Sequence, residues 1–254
     1  MLNKTPIFVA GFPVHETTPD LLAAQIKLRL ADAKKSVLFF ANTNLIVKCR
    51  PLLNKMLHDD VIIVNDGIGM DIASSLLRGK KFAANLNGTD FTPYFFTQSA
   101  HPLRVFLLGG KSEVLDKAAY HLVKNLGQIV VGTCDGYTGI QKPDLVEVIN
   151  ATAPDVVLVA MGNPNQEQWI LEHYEQINAK VFSGVGALFD FWAGDKPRAP
   201  AWVQRIRMEW FYRLCIEPKR LIKRYTIDIV VFLMCCFRFR KSAVKPTKRF
   251  TENK

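Results

Sequence analysis

VIIVNDGIGMD, residues 61–71, decides the fold. Val61–Val64 is an apolar run of strand length with no polar alternation, the pattern of a strand covered on both faces. Asn65-Asp66-Gly67 ends the run, and a glycine-containing turn leads into a helical pattern at Met70–Leu77. Asp66 itself reads two ways. It is a cap or Asx-turn residue that satisfies nearby backbone N–H groups. Or it is a general base, placed past the carboxyl end of a strand where it accepts a proton from a hydroxyl nucleophile.

The same grammar repeats along the chain. Runs of strand length occur at Ile7–Ala10, Ser36–Ala41, Leu103–Leu108, Gln128–Thr133, Asp155–Met161 and Val181–Val185. Amphipathic stretches lie between them at Asp20–Ala31, Leu45–Leu57, Ser112–Leu126, Leu145–Asn150 and Gln166–Tyr174. Alternation at this spacing predicts an α/β fold, a mostly parallel sheet with helices on both faces. Ligands of such sheets bind outside the carboxyl ends of the strands. Small polar or glycine clusters recur at those ends: Asn42-Thr43-Asn44, Asn65-Asp66-Gly67, Gly109-Gly110-Lys111, Asp135-Gly136-Tyr137, Gly162-Asn163-Pro164 and Gly184-Val185-Gly186. Their recurrence points to one site on one sheet edge.

Charge divides the 254 residues. Residues 1–195 hold 17 Lys and Arg against 19 Asp and Glu; residues 196–254 hold 16 against 4. A near-neutral body with a strongly basic end predicts a polyanionic partner for that end, a membrane surface or nucleic acid. Trp202–Leu214 reads as an amphipathic helix, and Lys219–Arg240 as a basic helix running into TIDIVVFLMCCF. That apolar run is shorter than the ~20 residues a span needs. Flanked by RLIKR and RFRK, it reads as interfacial, with a core helix or oligomer contact as the alternative. Residues 242–254 read as a flexible basic tail. The amino-terminal stretch does not read as a signal peptide. Five cysteines without CxxC spacing read as reduced thiols, and no Cys/His spacing predicts a metal site. Basic residues interleaved with Trp and Tyr would also suit RNA, but no nucleic-acid signature accompanies them.

Individual motifs stay open. GGKSEVLDKA (109–118) suits an anion at a helix N-terminus, yet Ser112-Glu113 is equally a plain cap and the Walker pattern is absent. In MGNPNQEQWI (161–170), Gln166 suits a sugar or base, and Glu167 suits either a site or the helix dipole. GVGALFDFWAGDKPRAPAW (184–202) combines glycines, aromatics and Arg198, as a ligand site or a hinge.

Taken in order, NDGIGM, NGTDF (87–91), FLLGGK, DGY (135–137), MGNPNQE, GVGALFDFWAGDKPRAP and EWFYRLCIEPKRLIKR (209–224) resemble the WecG/TagA/CpsF glycosyltransferases over roughly residues 40–225. The resemblance implies a Rossmann-like catalytic domain, here residues 1–195. It also implies a C-terminal helical basic appendage, here 196–241, that holds the enzyme at the inner face of the bacterial plasma membrane and closes the site. It implies an inverting, metal-independent transfer without cofactor, from a UDP-sugar to a polyprenyl-diphosphate-linked saccharide of a cell-surface polysaccharide. Members commonly self-associate. N-acetylmannosamine or its uronic acid is the expected sugar, with glucose as the alternative; Lys111 or Arg198 would face a uronate. A non-catalytic nucleotide-sugar or RNA-binding protein is the rival class.

By the same resemblance Asp66 is the base, Asn42 a sugar ligand and Gln166 a substrate contact. Many members carry a threonine just before that asparagine; this chain has Phe40 and Ala41 there, and Thr43 as the nearest substitute. Asn65, Asn87 and Gly88 belong to the matching blocks, as do Gly109, Gly110 and Lys111. So do Asp135 and Tyr137, Gly162 and Asn163, Glu167 and Gly186. Arg213 and Arg220 match arginines expected to meet the leaving diphosphate. Where a third is usual, this chain has Lys223, followed by Arg224. An arginine fork pairs two phosphate oxygens and a lysine supplies charge alone.

Overall fold

The computed structural model describes residues 5–200, 202–203 and 208–241, with the side chains of residues 220, 224, 225, 240 and 241 outside that description. An antiparallel hairpin opens the chain, β1 (Ile7–Val9) and β2 (Phe12–His15), turning at Ala10 and Gly11 with φ of 50° and 90°. Then follow α1 (Pro19–Ala31), β3 (Ser36–Ala41), α2 (Thr43–Lys48), β4 (Val61–Asn65), α3 (Ile68–Arg78) and α4 (Gly88–Thr97). The second half gives β5 (Arg104–Gly109), α5 (Ser112–Leu126), β6 (Ile129–Cys134), α6 (Leu145–Ala151), β7 (Val156–Ala160), α7 (Asn165–His173), β8 (Val181–Gly184) and α8 (Leu188–Trp192). The basic end forms α9 (Glu209–Ile216), α10 (Pro218–Tyr225) and α11 (Ile227–Lys241).

The sheet has eight strands in the order β1-β2-β4-β3-β8-β7-β5-β6. Every neighbouring pair except the opening hairpin is parallel. The α/β reading holds. Strand β3 (SVLFFA) and β4 (VIIVN) are buried at every residue, as unbroken apolar runs require in a sheet covered twice.

Alternate residues of β3 feed two cores. Val37 and Phe39 join Leu45 and Ile46 of α2 and Trp169 and Ile170 of α7 on one face. Leu38 and Phe40 join α1, α4, α5 and α8 on the other. Phe232 and Cys236 of α11 belong to the first core, so the last described helix is packed into the body.

Several elements differ from the reading above. The single first strand is a hairpin. The helix expected over Leu45–Leu57 stops at Lys48, and two 3-10 turns follow at Arg50–Leu52 and Lys55–Leu57. Pro51 explains the break, since it lacks the N–H an α-helix would use. The helix expected over Lys219–Arg240 is two helices that meet at Thr226, whose hydroxyl bonds back to the Ile222 carbonyl. Of the helix expected at Trp202–Leu214, residues 204–207 lie outside the described residues, and the described helix runs Glu209–Ile216. The tail expected at 242–254 also lies outside them. No helix among the described residues is long and apolar enough to cross a membrane.

Candidate active site

Adjacent strands β3, β8 and β7 send the chain to different faces. Helices α2 and α7 cover the first core, while α8, from the strand between them, covers the second. Such a reversal opens a crevice at the carboxyl ends of the strands. Strand register decides what stands in it. Ala41 lies opposite Asn65, so Asn42 and Asp66, the next residue of each strand, emerge side by side. Asn42 Oδ1 accepts from the Leu45 N–H at 3.1 Å and caps α2, while its Nδ2 donates to Asp66 Oδ2 at 3.1 Å. The Asp66 N–H donates to the Ala41 carbonyl at 2.7 Å, and the Gly67 N–H to Asn85 Oδ1 at 2.6 Å. The aspartate is thus positioned from its side chain, its own backbone and the residue that follows. Gly69 completes the corner: a Cβ there would stand 2.4 Å from Thr43 Cγ2, so α3 reaches α2 only through a glycine.

The opposite wall is tied by Gln166. Its Oε1 accepts from the Gly162 N–H at 3.2 Å and the Gly186 N–H at 3.0 Å, joining the loops after β7 and β8. Its Nε2 donates to Glu167 Oε1 at 2.7 Å. The same oxygen accepts from Asn163 Nδ2 at 2.6 Å, and Glu167 Oε2 accepts from the Cys49 thiol at 3.5 Å. Asn163 Oδ1 in turn accepts from Asn44 Nδ2 at 2.9 Å, linking this wall to α2. Glu167 has no exposed surface, and burial pushes its carboxyl above the usual glutamate range against these hydrogen bonds. The peptide between Asn163 and Pro164 is cis.

Together these loops floor a cleft of about 1200 Å³. Of the residues singled out in the sequence, Asn42, Thr43, Asp66, Asn87, Gly88 and Lys111 line it. So do Gly110, Tyr137, Gly162, Asn163, Gln166 and Gly186, and, from the basic end, Arg213 and Lys223. Five others stand elsewhere. Asn65 is buried in β4, its amide donating to the Ala84 carbonyl. Gly109 packs against β7, where a Cβ would meet the Ala160 oxygen at 2.5 Å. Asp135 closes its own turn, accepting from the N–H groups of Tyr137, Thr138 and Gly139, which hold its carboxyl below the usual range. Glu167 lies beneath the wall. Arg198 pairs with Asp90 at 2.5 Å, so of the two cations considered for a uronate only Lys111 faces the cleft. The side chains of Arg220 and Arg224 are outside the described set.

The appendage supplies the remaining wall. Arg213 receives support from Glu209 at 2.9 Å and lies over the Phe191 ring at 5.1 Å, while Asp228, Ile229 and Phe232 of α11 reach the same space. Lys196 binds Asp190 at 3.0 Å and approaches Glu217 at 3.9 Å, tying the loop after α8 to the start of α10. Asn44, Asn85, Asp190 and Lys196 also belong to this cleft or its frame and were not singled out as site residues. Asn44 stood within a polar cluster at a strand end; Asn85 carried no signal, because it arrives from a loop 18 residues beyond the N–H it serves. Among the described residues no group of three or more His, Cys, Asp and Glu side chains is arranged to hold a metal ion.

A family model described as the glycosyl transferase WecG/TagA/CpsF family matches residues 7–246. Among curated relatives, proteins named N-acetylglucosaminyldiphosphoundecaprenol N-acetyl-beta-D-mannosaminyltransferase from Staphylococcus aureus strains MRSA252 and NCTC 8325 are 29% identical over 236 residues. The protein of that name from strain MW2 is 28% identical over the same length. Each match covers 91% of this chain and 92% of the relative.

Proposed function

Because the chain belongs to the WecG/TagA/CpsF glycosyl transferase family, we propose that this glycosyltransferase moves a sugar from a UDP-sugar to a hydroxyl of a polyprenyl-diphosphate-linked saccharide, with Asp66 as the base. The observation that carries the reading is the pair at the sheet edge: a carboxylate on the cleft floor, oriented by the Asn42 amide at 3.1 Å. The relatives' name makes N-acetylmannosamine the first donor sugar to test and a GlcNAc-diphosphate lipid the first acceptor.

In the proposed step the acceptor oxygen attacks the anomeric carbon from the face opposite the nucleotide. The new C–O bond forms as the bond to the diphosphate breaks, and configuration inverts. The hydroxyl proton passes to Asp66, and UDP departs with the bonding pair. General-base assistance of this kind is worth about 10² to 10⁴-fold. Asn42 has its acceptor committed to the α2 cap and its donor to Asp66. In this reading it aims the base. Arg213 and Lys223 face the departing diphosphate, and the transfer needs no metal. The appendage holds the enzyme on the cytoplasmic side of the membrane.

The test is a product assay with purified protein, EDTA, a panel of UDP-sugars and a short-chain GlcNAc-diphosphate lipid, read by mass spectrometry of the lipid. One donor is expected to add its sugar mass to the lipid. Asp66→Asn is expected to bind that donor with unchanged affinity and to lose about 10² to 10⁴-fold in kcat. Normal turnover by Asp66→Asn removes the base assignment. No mass gain from any donor removes this substrate pair.

A further inference from the structure

Helix α3 carries an outward face made of aliphatic side chains alone. Its three exposed residues, Ile68, Ile72 and Leu76, are 43%, 49% and 48% exposed and stand four residues apart, so they form one row. The opposite face, Met70, Asp71, Ala73 and Ser74, is buried. A helix on a watered surface turns polar side chains outward; α3 does the reverse. Helix α11 packs beside it and repeats the pattern, with Ile227, Val230, Met234 and Phe237 exposed at spacings of three and four. Both helices border the cleft: Ile68 and Ile72 line it from α3, Asp228 and Ile229 from α11. Exposed cations belong to the same stretches of chain: Lys81 follows α3, Arg238 lies on α11 and Lys219 on α10, which contacts α11, while Lys80 is drawn to Glu16 at 3.8 Å.

We infer that the outward row of α3 is a membrane-contact surface of the body, which lies with α11 on an anionic bilayer and sets the cleft mouth at the headgroup level. An apolar row flanked by cations is what a protein lying on anionic lipid presents: aliphatic side chains enter the interface and ammonium groups meet phosphates. Anchoring is therefore shared between the basic end and the catalytic body, which fixes orientation as well as attachment. A protein partner fits less well. Ile68 and Ile72 belong to the cleft wall, so a second copy seated on α3 would sit over the entrance, whereas a bilayer is where the lipid of the acceptor resides. The inference rests on the lipid-linked acceptor proposed above.

The experiment uses the full chain and vesicles that contain no acceptor, so it does not depend on transfer. Wild type, Leu76→Ser and Lys81→Ala are sedimented with vesicles of equal parts phosphatidylglycerol and phosphatidylcholine, and with phosphatidylcholine alone. Leu76→Ser is expected to weaken partition about tenfold on the mixed vesicles, and Lys81→Ala about fivefold on them alone. Neither residue lines the cleft, so turnover of a water-soluble short-chain acceptor by Leu76→Ser stays within about twofold. Amide exchange on the wild-type chain, expected to slow across residues 68–81 when vesicles are added, decides the matter should Leu76→Ser fold poorly. Unchanged partition of a folded Leu76→Ser, or unchanged exchange across α3, overturns the inference. So does a wild-type dimer that Leu76→Ser dissolves without any effect on vesicles. Vesicle binding as expected, with no transfer to any acceptor, would instead overturn the proposed substrates and leave this surface standing.

Discussion

At the scale of single residues, the amides that line the cleft are held by an acid buried beneath them. Glu167 holds Gln166 and Asn163 by hydrogen bonds of 2.7 and 2.6 Å from a position with no exposure. Glu167→Ala leaves buried donors unmet and is expected to cost about 2–4 kcal/mol of stability in denaturant unfolding. Glu167→Gln keeps an acceptor oxygen in place and is expected to retain activity within about threefold. Because burial raises the native pKa above the ordinary value of 4.5, the native state holds its proton more firmly than the unfolded chain. Stability therefore falls as pH rises from about 4.5 through the raised native value. Melting curves of Glu167→Gln are expected to lack that fall; an identical pH profile in both proteins would remove this account. Asn42 is constrained differently. A serine there would cap α2 without reaching Asp66, and an aspartate would cap it while confronting a second carboxylate. Asp66 and Asn42 could be singled out in the sequence because strand ends expose their motifs. The burial of Glu167 could not, because a glutamate in a first helical turn reads the same whether it faces a ligand, water or a core.

At the scale of elements, the sheet and the helices around it were legible wherever an apolar run met a polar turn. Strand β3 and helix α5 have the expected bounds, Ser36–Ala41 and Ser112–Leu126. Helix α4 was not read as a helix: Pro93 lies inside it, and its identifying feature is Asn87, whose side chain caps it by accepting from the Asp90 N–H at 2.8 Å. Strand β2 was hidden by Pro13 and by a turn at Ala10 and Gly11 that only pairing with β1 reveals. Close contacts between elements hinge on glycine. Gly109 has φ of 109° and no room for a methyl group against the Ala160 backbone. Gly109→Ala is expected to destabilise the fold by about 2–4 kcal/mol, through the strained backbone and parting of β5 from β7, read as a lower denaturant midpoint at unchanged slope. A midpoint within error of wild type would show that the strand ends yield freely.

At the scale of the whole molecule, the basic end is less separable than its composition suggests. Phe232 is 1% exposed and sits in the core that α2 and α7 build, and Arg50 lies over the Phe239 ring at 4.3 Å. Phe232→Ala is expected to cost about 3–5 kcal/mol, and cutting the chain before Thr226 to lower the melting temperature as well as membrane binding. A truncated protein that melts like the full chain would show α11 to be merely laid on. Charge made this end visible in sequence; its packing was invisible, because a short apolar run reads alike for a core helix and an interfacial one. The cleft between α3 and α11 also has a kinetic consequence. Under the proposed function its two substrates arrive through different dimensions, the nucleotide sugar by diffusion in volume and the lipid acceptor by diffusion in a plane. Turnover should then follow the acceptor's mole fraction in the bilayer: adding inert lipid at constant total acceptor slows the reaction, while adding solvent at constant vesicle composition leaves the acceptor dependence untouched.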